Sequence, residues 1–303
     1  HAPLAVGVRP AAQVQTVPRA DRSSCLHPTP SPQDDVAPDE WMLPLSAVER
    51  TLLVPLMARA WGTRWQLIDE PDFCADRVLQ SLGCRMPDWP DLVTWGLILW
   101  RTAWFRRWAR EFFARHPGAQ GLNLGAGLSD YFQWLQTSTR HWVDADLQRV
   151  MQLREHCLPA RRGARGLSMD VCTDEWWGCL RRGRTGAEQP CWIMLEGVLM
   201  YWTPGQVADF LHSVGEHVPH GSSVAFDVIP HWMVGHPIRV THAQGDAARF
   251  QWGIRSLDDL AHVHPRLHLD TAVHPPTPWS LTPWRTAGWD PLSPYALVRM
   301  TVL

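Results

Sequence analysis

Two rhythms of apolar positions divide the chain. From Gly121 onward, short apolar runs fall near 121–125, 140–145, 164–169, 191–197, 222–229 and 296–302, and helical stretches lie between them at 130–136, 147–156 and 204–217. Strands alternating with helices predict an α/β domain with a mostly parallel sheet covered on both faces. The helix at 204–217 carries its own start signal: Thr203 as N-cap, Pro204 at the first helical position and Gln206 completing a capping box. Ahead of Gly121 the spacing is helical throughout. Ser46-Ala47-Val48-Glu49 is a capping box before Thr51–Met57, where Pro55 is expected to kink or interrupt the helix. A longer helical segment runs from about Asp91 to Arg115 and stops at His116-Pro117-Gly118. Residues 1–40 are rich in Pro, Ala, Ser and Asp without periodicity and read as an extended or disordered arm. The His- and Pro-rich segment 231–292 is expected to mix loops, a short helix after Ser256 and one or two strands. The predicted organisation is therefore an arm (1–40), a helical cap (41–118) and an α/β domain (119–303) with a cap insertion near 231–265.

Composition narrows the field by exclusion. With 28 basic and 30 acidic side chains the net charge is −2, so no global field favours nucleic acid or an anionic membrane. The apolar run Leu92–Trp100 is too short to span a bilayer. No basic start followed by an apolar stretch marks a signal peptide. The chain begins at His1 rather than Met, and its natural amino terminus is expected to lie further upstream. Seven cysteines without a CxxC pair suggest reduced thiols and a cytoplasmic protein; between monomer and homodimer the sequence leaves the choice open. Nineteen tryptophans against three tyrosines allow two readings, core filling or a pocket wall for a flat aromatic ligand.

The chemistry concentrates at strand ends, where ligands bind in open parallel sheets. Gly121-Leu122-Asn123-Leu124-Gly125-Ala126-Gly127 is an apolar strand entering a glycine turn, and Asp146 stands nineteen residues after Gly127, the spacing of a ribose-binding acid. Asp170 and Glu196 end the next two strands. A dinucleotide fingerprint would need a third glycine at position 130, which is Asp130. A cofactor with adenosine but no phosphate fits better, and S-adenosylmethionine is the common one.

Glu49-Arg50-Thr51-Leu52-Leu53-Val54-Pro55-Leu56, Arg101-Thr102-Ala103-Trp104-Phe105, Asn123–Leu128, Val143-Asp144-Ala145-Asp146-Leu147 and Leu195-Glu196-Gly197-Val198-Leu199-Met200-Tyr201 together resemble the leucine carboxyl methyltransferase family. The closer match is its bacterial branch of polyketide O-methyltransferases, in order and at similar spacing over roughly residues 45 to 255. The resemblance implies a class I S-adenosylmethionine-dependent methyltransferase fold, Rossmann-like, seven-stranded, under an N-terminal helical cap. It implies that Gly125, Ala126 and Gly127 carry the methionine part of the cofactor and that Asp146 holds the ribose. Asp170 would meet the adenine, Glu196 the amino group and Arg101 the carboxylate. Leu147, Met169, Val171 and Gly197 would complete the cofactor lining. One departure stands out: Ser129-Asp130-Tyr131 replaces the Asp-Thr-Arg usual in related sequences.

Methyl transfer from a sulfonium is an in-line displacement, so the protein must align the reactants and exclude water. A carboxylate acceptor is already ionised at neutral pH and needs only docking groups. A phenol, with a pKa of about 10, needs a base or a lowered pKa. Tyr201, His231 and Arg255 are the candidate acceptor-side residues, with His236 beside them; as surface groups, His231 and His236 would be loop histidines and Arg255 a solvated charge. Arg106, Arg107 and Arg110 read as helix-surface charges. His262-Val263-His264 with His268 and His242 lacks Cys partners and zincin spacing, so no metal is assigned. The favoured acceptor is the carboxylate of a polyketide-like or aromatic small molecule. A phenol or a peptide C-terminal carboxylate is the alternative, and a non-catalytic S-adenosylmethionine-binding partner protein the reading from another class.

Overall fold

In the computed structural model, residues 45–84, 86, 91–139, 141–173, 175–180, 189–238, 247–275 and 295–303 are described. The expected arm and His242 lie outside them. Four helices precede the sheet: α1 (Ala47–Arg50), α2 (Leu53–Arg64), α3 (Phe73–Ser81) and α4 (Leu92–Arg115). Ser46 and Glu49 form the expected reciprocal box at the start of α1. Pro55 does not kink α2. It sits in the first turn, where its missing N–H has no intrahelical acceptor to lose, and the chain instead breaks at Thr51-Leu52, between α1 and α2. Helix α3 has no counterpart in the sequence reading; its N-cap Asp72 accepts from the Cys74 and Ala75 amides.

The main sheet has seven strands: β1 (Gln120–Leu124), β2 (Trp142–Asp146), β3 (Ala164–Ser168), β4 (Cys191–Leu195), β5 (Ser223–Val228), β8 (Leu267–Val273) and β9 (Ala296–Val302). Their order is β3-β2-β1-β4-β5-β9-β8, and β9 is antiparallel to both neighbours. Helices α5 (Phe132–Leu135), α6 (Gln148–Cys157) and α7 (Pro204–His217) follow β1, β2 and β4. This order, with one reversed strand near the far edge, is the class I methyltransferase sheet that the sequence predicts. The reversal between β1 and β4 puts the carboxyl ends of both beside each other, and a crevice opens there.

Alternation along β4 shows how the sheet is clad. Cys191, Ile193 and Leu195 pack with Val207, Phe210 and Val214 of α7, whereas Trp192 and Met194 pack with Phe105, Trp108 and Phe112 of α4. Helix α4 therefore belongs both to the N-terminal helices and to the sheet's cover. A third cluster joins Leu56, Val78 and Trp95 to Leu128 and Val150, seating the N-terminal helices over the glycine turn. In the segment 231–292, a single helical turn spans His231–Met233, strands β6 (Pro237–Ile238) and β7 (Ala248–Arg249) pair apart from the main sheet, and α8 (Asp258–Ala261) follows Ser256. Among the described residues no helix is long and apolar enough to cross a membrane, and none of the six cysteines is in a disulfide.

Candidate active site

A cavity of about 640 Å³ lies beyond the carboxyl ends of β1, β2, β4 and β5, within the range of roughly 300–1,000 Å³ usual for small-ligand sites. The sheet side is lined by Gly125, Ala126, Gly127, Asp146, Leu147, Met169, Asp170, Val171, Glu196 and Gly197, with Arg101 from α4. The structure thus brings every sequence-predicted cofactor residue to the lining of one cavity. The lining also takes in Val48, Thr51 and Leu52, then Val93, Leu97 and Ile98, then Met200, Tyr201, Ile229, Met233, Ile238, Phe250 and Tyr295.

The glycine turn is shaped from both sides. Gly125 has φ +73°, and a Cβ there would stand 2.4 Å from Val198 Cγ2, so only glycine fits. Behind the turn, the buried Arg154 of α6 donates through one terminal nitrogen to the carbonyls of Ala126 (3.2 Å), Gly127 (2.7 Å) and Ser129 (2.8 Å). Its other nitrogen pairs with Asp144 at 2.8 Å. Asp144 is held in turn by Asn123 Nδ2 (2.9 Å) and Trp142 Nε1 (3.0 Å). A buried cation that gathers three carbonyls fixes the orientation of the peptide planes between them. Arg154→Met is expected to destabilise the fold by about 3 kcal/mol, by stranding Asp144 and three carbonyls. It should also weaken stabilisation by S-adenosylhomocysteine; thermal melts with and without that ligand check both effects.

Asp146 is pre-oriented by the same turn. Its Oδ2 accepts from the Gly127 amide (2.7 Å) and its Oδ1 from the Leu147 amide (2.8 Å). Each oxygen keeps a further lone-pair site, enough for two hydroxyl donors. Burial pushes its pKa up, against the pull of the two amides. Asp170 also lines the cavity and accepts from the Cys172 amide at 2.9 Å.

Arg101 is less exposed to ligand than the resemblance implied. Its Nε donates to Glu196 Oε1 (2.8 Å), and one terminal nitrogen donates to Asp227 Oδ2 (2.9 Å) and Tyr295 Oη (2.9 Å). Only its remaining terminal nitrogen is left for a cofactor carboxylate. The guanidinium lies against Gly197 (φ +71°), where a Cβ would come within 3.1 Å of it. Asp227 is fully buried and accepts from the Gly197 amide at 2.6 Å and from Tyr295 Oη. Glu196 also accepts from Thr102 Oγ1 (3.1 Å) and Tyr131 Oη (2.6 Å). All three tyrosines of the chain stand at this site: 201 and 295 on the lining, 131 behind Glu196.

Two sequence candidates fall away. His231 begins the turn over β5 with its side chain exposed, and Met233 is the residue of that turn on the lining; His236 is likewise exposed, against the Met233 carbonyl. Arg255 is exposed, and its amide bonds to Asp259 at the start of α8. Tyr201 does reach the cavity. Its hydroxyl is hydrogen-bonded to Thr51, and burial pushes the phenol's pKa up. The aromatic-wall reading of the tryptophans is also corrected: among the described residues only Trp202 lines the cavity, and Trp108, Trp142, Trp176 and Trp192 are fully buried core. Nor do Arg106 and Arg110 behave as free surface charges, since both pair with Glu70.

Of the described histidines weighed as metal ligands, His264 alone meets other candidate ligands, namely His212 and Glu216 of α7. Its Nδ1 accepts from the Arg266 amide (3.1 Å), which leaves the proton on Nε2, directed at Glu216 (2.8 Å). That proton occupies the lone pair a metal would need.

Asp227, Tyr295 and Arg154 escaped the sequence reading. Asp227 had a signal, an acid inside the apolar run Val224-Ala225-Phe226-Asp227-Val228. Arg154 had none, since it sits among helix charges and only the turn above it gives it a role.

A sequence profile of the leucine carboxyl methyltransferase family matches residues 36–215. The tetracenomycin polyketide synthesis O-methyltransferase TcmP of Streptomyces glaucescens is 30% identical over 222 residues, covering 71% of this chain and 79% of that protein. The chain belongs to the leucine carboxyl methyltransferase family. As a member of the family it is a methyltransferase that uses S-adenosylmethionine. The S-adenosyl-L-methionine-dependent methyltransferase dpfgK of Gibberella zeae is 30% identical over 115 residues, 35% of this chain and 37% of that protein. A candidate methyltransferase structure from Thermobifida fusca YX superposes with a TM-score of 0.49 at 18% identity, over 81% of this chain and 94% of that one; a likeness that distant carries no argument. The matched span includes the glycine turn, Asp146, Asp170 and Glu196, and ends before Asp227 and Tyr295.

Proposed function

We propose that the protein transfers a methyl group to the carboxylate of a polyketide-like or aromatic small molecule, with the sheet wall of the cavity holding the cofactor and the apolar wall holding the acceptor. The observation that carries the reading is that one cavity is lined both by every expected cofactor residue and by a set of apolar side chains. On the sheet side, the turn Gly125–Gly127 packs against the amino-acid part, Asp146 accepts the ribose hydroxyls and Asp170 the adenine amino group. Glu196 pairs with the ammonium group, and the outer nitrogen of Arg101 meets the carboxylate. S-adenosylmethionine supplies an electrophilic methyl group on a cationic sulfur.

What the chain itself must do is desolvate, align and dock. Leu52, Leu97, Ile98, Ile229 and Phe250 give the acceptor an apolar berth that keeps water from the reacting atoms. Tyr201 offers a phenolic donor that stays protonated, and no histidine lines the cavity among the described residues. A lining without an imidazole among the described residues suits an acceptor that arrives ionised. Similarity to TcmP, an O-methyltransferase of polyketide synthesis, supports the same acceptor class. Tyr201→Phe is expected to lower kcat/KM for the acceptor about tenfold with cofactor affinity unchanged; steady-state kinetics and calorimetry check the two halves.

A hydroxynaphthoic acid offers both nucleophiles on one flat ring system. Incubated with the enzyme and methyl-labelled S-adenosylmethionine, it is expected to yield an alkali-labile methyl ester. An alkali-stable aryl ether would overturn the carboxylate assignment in favour of a phenol.

A further inference from the structure

Glu196 is held by more than the arginine beside it. Its side chain is only 6% exposed, yet it reaches the cavity wall. Oε1 is taken by Arg101 and Thr102, both from α4, while Oε2 receives the Tyr131 hydroxyl at 2.6 Å. Tyr131 is itself fully buried, does not line the cavity, and packs edge-on against Trp134 with ring centroids 5.5 Å apart. It belongs to the stretch Ser129-Asp130-Tyr131 that continues from the glycine turn. Asp130 and Ser129 have structural partners there: Asp130 pairs with Arg161 at 2.7 Å, and Ser129 Oγ donates to the Ala126 carbonyl at 2.7 Å. Tyr131 differs in that its polar atom is spent on a carboxylate side chain of the cavity lining.

We propose that Tyr131 is a positioning residue for the cofactor's amino group: from behind, its hydroxyl locks the second oxygen of Glu196, so that the carboxylate presents its free lone pairs to the ammonium. The proposal rests on the reading of Glu196 as the ammonium's partner. The terminal torsion of a glutamate is broad, and Arg101 and Thr102 bind the other oxygen. A phenol also fixes the oxygen without cancelling its charge, as a second arginine would. The groups facing Glu196 are Arg59 of α2, Arg101 and Thr102 of α4 and Tyr131, with Asp227 and Tyr295 reaching it through Arg101. Burial pushes Glu196 up, but Arg101, Arg59 and the Tyr131 hydrogen bond outweigh it and hold the carboxyl below its ordinary range.

Calorimetric titration of the wild type, Tyr131→Phe and Glu196→Gln with two ligands tests this. One ligand is S-adenosylmethionine; the other is 5′-methylthioadenosine, which lacks the amino-acid part. Tyr131→Phe is expected to raise the Kd for S-adenosylmethionine about tenfold, to move the acid limb of its binding to higher pH, and to leave methylthioadenosine within about twofold. Unchanged S-adenosylmethionine affinity, or equal weakening of both ligands, would overturn the proposal, the latter because it signals a merely structural role. If Glu196→Gln leaves S-adenosylmethionine binding intact, the underlying reading of Glu196 fails as well. If Glu196→Gln weakens it and Tyr131→Phe does not, only the positioning role fails. Should Tyr131→Phe not fold, 3-fluorotyrosine in place of Tyr131 gives a second readout. Its fluorine signal is expected to shift with S-adenosylmethionine and not with methylthioadenosine; an equal shift with both overturns the proposal.

Discussion

Asp146→Ala is expected to abolish tight cofactor binding while leaving the protein folded. The carboxylate is fixed by the Gly127 and Leu147 amides with its remaining lone pairs on the cavity wall. Two hydroxyls bound to a charged, pre-oriented acceptor are worth about 3 kcal/mol together, roughly a hundredfold in Kd. The loss should exceed that of a simple ligand contact, because the Gly127 amide also loses its acceptor and the turn loosens. Calorimetry with S-adenosylhomocysteine measures it, and an affinity within a few-fold of wild type would remove Asp146 from the cofactor site. The sign of the pH effect follows from the same geometry. Burial raises the Asp146 pKa, so on acidification this group takes up its proton at a higher pH than an exposed aspartate would. Since the protonated form has lost an acceptor, cofactor affinity is expected to fall as pH drops through that raised value.

The second large effect is expected at Arg101, on stability as much as on binding. One guanidinium compensates Glu196 and Asp227, with side chains 6% and 0% exposed. Arg101→Met keeps much of the aliphatic volume but leaves two carboxylates facing each other in the interior. Removing one partner from a buried pair costs about 3–5 kcal/mol, and here both partners are stranded. The melting temperature is expected to fall by about 10 °C, with cofactor affinity falling too. Arg101→Lys should recover part of the stability and little of the binding, because an ammonium cannot fork across two carboxylates. If Arg101→Met melts like wild type and changes only acceptor KM, Arg101 belongs to the acceptor wall and the clamp is misread.

The fold was legible in the sequence where the local signals were strong. Strand ends at Leu124, Asp146, Ser168 and Leu195 followed from apolar runs broken by glycine or acid, and α7 from the Thr203-Pro204-Gln206 start. The sheet side of the cavity was legible for the same reason, since each of its elements apart from Arg101 of α4 ends or directly follows a strand. Failures came where a residue's role depends on something distant in sequence. Arg154 reads as a helix charge until the turn above it supplies three carbonyls, and Tyr131 as a lost arginine until Glu196 comes within 2.6 Å. Pro55 and His231 were misjudged from residue type alone: proline is harmless in a first helical turn, and a histidine after a strand end need not turn inward. Of the two readings of the tryptophans, core filling holds and the pocket wall does not. Indole fills the space between α4 and the sheet, while among the described residues Trp202 is the one tryptophan on the cavity lining, beside Leu, Ile, Val, Met and Phe.

The most direct test of the account is a crystal structure of the protein with S-adenosylhomocysteine. The account predicts the ribose on Asp146, the amino group on Glu196, and the sulfur opening toward Tyr201 and the apolar wall. S-adenosylhomocysteine bound away from Asp146, or with its sulfur turned from that wall, would contradict it.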